Sequence, residues 1–154
     1  LECVLTASTG AKRVLDLFCG SGFFSIPLAR GADQVLGVES SRIALKEARL
    51  NARLNNASNT RFHEGQVEWL LRDSPDVRPD LVVMNPPRTG AGRRVAELAR
   101  GLGAERIVYV SCDPATLARD VRLLTETGYH VEDIHMIDLF PQTFHIESVV
   151  RLAR

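Results

Sequence analysis

Cysteine is scarce in this chain. Cys3, Cys19 and Cys112 are three residues in 154, with no CxxC pair and no His/Cys spacing suited to zinc. No disulfide framework and no metal site are expected, and reduced thiols point to the cytoplasm. Long apolar runs are missing as well. The longest are strand-sized, and no charged segment precedes a signal-like core, so neither a membrane span nor a secretion signal is expected. Net charge is absent too: nineteen Lys plus Arg balance nineteen Asp plus Glu, and no overall positive field advertises a nucleic-acid partner. A basic patch can still hide in a neutral total. Arg88, Arg93, Arg94, Arg100 and Arg106 crowd into one part of the chain and read either as such a patch or as a solvated helix face. Repeats, low-complexity tracts and linkers are lacking, and 45% hydrophobic residues are enough for the core of one domain. The chain begins with Leu1 rather than Met and enters its first strand almost at once, as an excised domain would.

What is present is organised around the run Arg13 to Ser25. Val14 to Phe18 read as a short buried strand, and Gly20 and Gly22 let the backbone turn sharply and approach a ligand. In open α/β sheets, ligands bind beyond the carboxyl ends of the strands, and the first βα turn lines that crevice. Asp16 interrupts an otherwise apolar strand, where an unpaired carboxylate is costly, so it is expected to accept hydrogen bonds from the turn or from a ligand. Glu39 ends the next strand, about twenty residues on, where α/β folds grip ribose hydroxyls. Together these features imply an adenosine-type cofactor. A nicotinamide dehydrogenase fits less well, because Ser25 stands where the third glycine of its fingerprint would fall.

Strand and helix signals then alternate. Strands are predicted at 14–18, 34–39, 60–64, 81–85 and 106–111, with helices at 23–30, 41–54, 67–72, 93–102 and 114–127. Asp113 before Pro114 reads as a helix N-cap, Leu117, Val121 and Leu124 as that helix's apolar stripe, and Gly128 as its end. After Gly128 the rhythm changes: strand-like runs at 130–139 and 146–152 follow with no helix between them, which predicts an antiparallel pair. Five parallel strands closed by such a hairpin are the layout of the Rossmann-like class I methyltransferase, an α/β fold with a seven-stranded, mostly parallel sheet ordered 3-2-1-4-5-7-6.

Three positions suggest chemistry. Asn85 is followed by Pro86 and Pro87, which fix φ and hold the backbone extended, so its amide faces the same sheet edge as Gly20 and Glu39. Cys112 ends the fifth strand just before a helix N-terminus, whose partial positive charge favours a thiolate. Neither Cys19 nor Cys3 has that setting. Glu147 begins the last strand and reads either as a surface carboxylate or as a general base beside a nucleophilic cysteine. His145 points the same way as Glu147.

The stretches LDLFCGSG, VLGVE, NPPRTG, IVYVSCDPATLARD and FPQTFHIESV resemble, across nearly the whole chain, the C-terminal methyltransferase domain of the RNA uracil-C5 (5-methyluridine) methyltransferases. The resemblance implies S-adenosylmethionine as cofactor and a uridine in tRNA or rRNA as substrate. It makes Cys112 the nucleophile and Glu147 the base. Phe18, Phe23, Glu39, Gln66 and Asn85 would line the cofactor site with Gly20 and Gly22. Two departures stand out. Asn85 occupies a position where the family usually has Asp, and the RNA-binding OB-like domain that precedes this domain in the family has no counterpart in the 154 residues. Residues 1–154 therefore read as the catalytic domain alone. Two alternatives stay open at this point: an amino methyltransferase using Asn85-Pro86-Pro87, or a cofactor-binding domain that is not competent alone.

Overall fold

The computed structural model describes residues 1–70, 76–138, 141–142 and 146–154. Its seven strands form one sheet: β1 (Arg13–Leu17), β2 (Gln34–Glu39), β3 (Thr60–Glu64), β4 (Leu81–Met84), β5 (Arg106–Ser111), β6 (His130–Ile137) and β7 (Glu147–Ala153). The order is β3-β2-β1-β4-β5-β7-β6, as expected, with β7 antiparallel to both neighbours. Helices α1 (Glu2–Ala7), α2 (Ser25–Leu28), α3 (Arg42–Leu54), α4 (Gly92–Leu102) and α5 (Pro114–Glu126) cover the faces.

The two-residue period of the strands divides the core. Leu15, Leu17, Val82, Met84, Ile107 and Tyr109 pack on one face with α4 and α5, while Val14, Val83, Val108, Val110 and Val149 pack on the other. Val4 and Ala7 of α1 join that second face, so a short helix stands where direct entry into β1 was expected.

Several boundaries moved for identifiable reasons. β1 stops at Leu17 because Phe18 turns left-handed at φ 61°. Helix α2 spans only Ser25–Leu28, against the predicted 23–30. Pro27 has no N–H to give the ladder, and the chain continues in tighter turns, with Arg30 N–H donating to Pro27 O and Gly31 N–H to Leu28 O. The predicted helix at 67–72 opens with a 3-10 turn, Val67–Trp69, and Leu70 after it is helical; 71 and 72 lie outside the described residues. Caps behave as read: Ser41 accepts from Ala44 N–H at the start of α3, and Asp113 from Thr116 N–H at the start of α5. The predicted stripe of α5 packs on the core, with Leu117 and Leu124 buried and Val121 half-buried, and Asp120 and Leu123 are buried beside it. Leu139 and His145 lie outside the described residues. No helix among the described residues is long and apolar enough to cross a membrane, and none of their His, Cys, Asp and Glu side chains group in threes or more to hold a metal ion.

Candidate active site

The carboxyl ends of β1, β2 and β3 build the first half of the site. Gly20 (φ 52°) and Gly22 (φ 87°) take left-handed conformations. A Cβ built on Gly20 meets no other atom within 4 Å and would stand in open space. The turn is tied to the end of β2. Glu39 accepts from Gly20 N–H at 3.2 Å through Oε2, and from Ser41 N–H at 2.8 Å through Oε1. From the other side, Asn51 of α3 donates to Ser21 O at 3.1 Å. Beside this turn a cavity of about 270 Å³ is lined by Phe18, Ser40, Gly65, Gln66, Val67 and Glu68. Phe18 reaches it through its left-handed backbone, a conformation that a bulky residue keeps only where the surroundings enforce it. Phe23 is 63% exposed and meets Phe24 edge-on at 5.0 Å; it borders the turn without lining that cavity. A larger cavity of about 490 Å³ opens at the opposite edge of the sheet, among Arg13, Gln34 and Arg61. It lies at the amino ends of the strands, so the smaller one is the candidate cofactor site.

Under the turn lies Asp16, fully buried, with Oδ2 accepting from Ser25 Oγ at 2.5 Å and Oδ1 without a partner. The expected hydrogen bond is thus made by the helix after the turn. Burial pushes the carboxyl up to about 7, with the Ser25 bonds opposing the shift and Glu39 adding to it. The folded protein therefore keeps this proton to higher pH than the unfolded chain. The stability linked to it is fully present below the usual carboxylate pKa and is lost as pH rises toward 7, by on the order of 4 kcal/mol. Asp16→Asn, neutral and of the same shape, should flatten that decline in urea melts between pH 4 and pH 7.5. An unaltered slope would mean that Asp16 ionises as freely as an exposed carboxylate. Burial, with Asp16 and Glu39 nearby, also pushes the Cys19 thiol far up, which keeps it a protonated packing group beneath Gly37.

The second half of the site is built by β4, β5 and β7. Asn85 leaves β4 exposed, its N–H still donating to Leu17 O at 3.3 Å, so it abuts the end of β1. Cys112 is half-buried one residue beyond β5. The antiparallel ladder ends on the pair Ser111 and Ser148, so Cys112, one residue past β5, and Glu147, the first residue of β7, lie at the same end of the ladder. Burial raises the Glu147 carboxyl above its ordinary value, making it a stronger proton acceptor once ionised. The sheet thus brings the predicted residues to one edge in two groups: Phe18, Gly20, Glu39 and Gln66 on one side, Asn85, Cys112 and Glu147 on the other. Sequence reading missed Ser40 and Gly65, although each directly follows a strand that ends at the site.

Residues 71–154 match the family model of the tRNA (uracil-5-)-methyltransferases. The chain belongs to that family. Residues 1–103 also match the model of the methyltransferase small domain. Among similar proteins are two named uncharacterized RNA methyltransferases, from Gloeobacter violaceus (46% identical) and Enterococcus faecalis (47%). Each match covers 96% of this chain, but only 32% and 33% of those proteins; the chain spans about a third of their length. The solved tRNA (uracil-54, C5)-methyltransferase of Pyrococcus abyssi, in complex with S-adenosyl-L-homocysteine, is 33% identical and superposes with a TM-score of 0.86, over 99% of this chain and 36% of that one. The precorrin-6y C5,15-methyltransferase of Geobacter metallireducens shares the fold at 18% identity, with a TM-score of 0.79 over 99% of this chain and 86% of that one. The fold of the tRNA (uracil-5-)-methyltransferase domain is thus that of the S-adenosylmethionine-dependent methyltransferases.

Proposed function

We propose that this chain is the catalytic domain of an enzyme that methylates C5 of a uridine in tRNA or rRNA through a covalent Cys112 adduct. The observation that supports the reading is the β5–β7 register, whose last pair, Ser111 and Ser148, is followed by Cys112 and preceded by Glu147 at the edge where Glu39 and the glycine turn also end. The chemistry calls for that pairing. Uracil C5 is a poor nucleophile until the Cys112 sulfur adds to C6 and pushes the C5–C6 electrons into an enolate. S-adenosylmethionine, when bound, supplies the electrophilic methyl group that C5 takes, and leaves as S-adenosylhomocysteine. Glu147 then accepts the C5 proton, and the released electron pair restores the C5–C6 double bond and expels the thiolate.

The cofactor fits the residues present. Glu39 offers carboxylate oxygens toward ribose hydroxyls, Phe18 and Gln66 line a cavity at its side, and Gly20 and Gly22 leave the turn open. Glu39→Ala should lower cofactor affinity at least about tenfold, from two charge-assisted hydrogen bonds of about 1.5–3 kcal/mol each. Calorimetric titration with S-adenosylmethionine reads this directly, and an unchanged Kd would remove Glu39 from the site. For the function as a whole, the deciding experiment is mass analysis of RNA nucleosides from cells lacking the protein. Loss of one 5-methyluridine supports the reading, and an unaltered 5-methyluridine content counts against it.

A further inference from the structure

The stretch Asn85 to Gly92 crosses the site edge as a loop, and its anchorage is largely one-sided. Pro87 O accepts from Gly90 N–H at 2.8 Å, closing a turn around Arg88 and Thr89. Asn85 N–H holds its start to Leu17 O at 3.3 Å and Ala91 N–H reaches Tyr109 Oη at 3.2 Å, and the remaining side-chain anchors come from α5. Thr116 Oγ1 donates to Arg88 O at 3.1 Å, and Arg119 Nη2 to Thr89 O at 2.8 Å. Asp120 is 2% exposed and accepts from Ala91 N–H at 2.6 Å, Gly92 N–H at 3.2 Å and Tyr109 Oη at 2.6 Å, while Arg119 closes on its other oxygen at 2.8 Å. Gly90, at φ 80°, lies so close that a Cβ would collide with Arg119 Nη2 and Asp120 Oδ2.

Helix α5 starts two residues after Cys112. One element therefore fixes both the cysteine at its N-terminus and, one to two turns on, the loop that carries Asn85 and Arg88. A buried carboxylate with four donors is costly to assemble in a core position that an apolar side chain would fill. Its bonds go to the loop, to β5 and to Arg119.

We propose that Asp120 is a positioning residue. Through the N–H groups of Ala91 and Gly92 it sets Asn85 and Arg88 in register with Cys112, so that loop and sulfur meet the pyrimidine as one rigid unit; this rests on the uridine reading above. The test uses the native full-length protein with Asp120→Asn, which leaves donors facing an amide NH₂. Arg119→Met accompanies it, because the half-exposed Arg119 both pairs with Asp120 and donates to Thr89 O, so its loss loosens the same clamp from outside the core. Hydrogen exchange over 85–92 should quicken about tenfold or more, and kcat on RNA should fall by a similar factor, while the Kd for S-adenosylmethionine, with Asn85 only one of the residues that would line its site, changes by much less than kcat. Should Asp120→Asn fail to fold, Arg119→Met decides alone. The inference is overturned if loop exchange is unaltered, if exchange quickens while kcat stays within twofold, or if cofactor affinity falls together with kcat as a general loosening would require. If the unmutated protein methylates no uridine, that failure belongs to the proposed function, and the exchange rates still decide whether Asp120 holds the loop.

Discussion

Cys112→Ala should form no covalent adduct with RNA and should lower methyl transfer to uridine by at least about a thousandfold, because without sulfur addition at C6 the ring carbon has no electron density to offer. Fold and cofactor binding should survive. Cys112 is half-buried beyond the end of β5 and contributes nothing to the ladder, and the cavity at Phe18 and Gln66 lies across the sheet edge. Single-turnover assays with labelled S-adenosylmethionine measure the effect. Full turnover by the alanine variant would favour an amino methyltransferase acting through Asn85-Pro86-Pro87, which needs no cysteine. Cofactor binding without turnover in the unmutated chain, restored by an RNA-binding domain, would mark a domain that is not competent alone.

Glu147→Gln should fail at a later step. The amide cannot accept the C5 proton, so addition and methylation proceed and elimination stalls, leaving RNA attached to protein. A positioned base typically contributes 10²–10⁴-fold, and a turnover loss of about that size is expected. In the unmutated enzyme the acid limb of the kcat profile should fall above the ordinary carboxylate range, since burial raises the Glu147 carboxyl and only its ionised form can accept a proton. Denaturing gels distinguish the two variants: a shifted RNA–protein band for Glu147→Gln and none for Cys112→Ala. Equal absence of the band in both would place Glu147 before the addition step.

Much of this arrangement is legible in the residues, because it depends on period and punctuation. Alternating strand and helix signals, and the missing helix before Ile146, were enough to find all seven strands, and their order came from the class I methyltransferase layout that this pattern matches. Elements escaped where local composition carries no signal. Phe18 enters the left-handed region, which nothing in Leu17-Phe18-Cys19 announces, and α1 presents only one apolar turn, Val4 and Ala7. Pro27 was visible, yet its effect on α2 depends on where the glycine turn releases the helix. The Asp120 clamp was overlooked although a signal existed. A carboxylate three residues after Leu117 and four before Leu124 occupies a core-facing position of α5, and a charge there demands partners. Gly90 marks where the partner loop comes close.

The central claim is the bond between Cys112 sulfur and uracil C6. It is tested most directly with RNA containing 5-fluorouridine, since fluorine at C5 cannot leave as a cation and the adduct should persist after methyl transfer. The full-length protein, S-adenosylmethionine and fluorinated RNA should give a band stable to denaturation, and mass spectrometry of its peptides should place the nucleotide on Cys112. A control must show that the RNA is bound. Bound fluorinated RNA with no adduct, or an adduct mapped to another residue, would contradict the account.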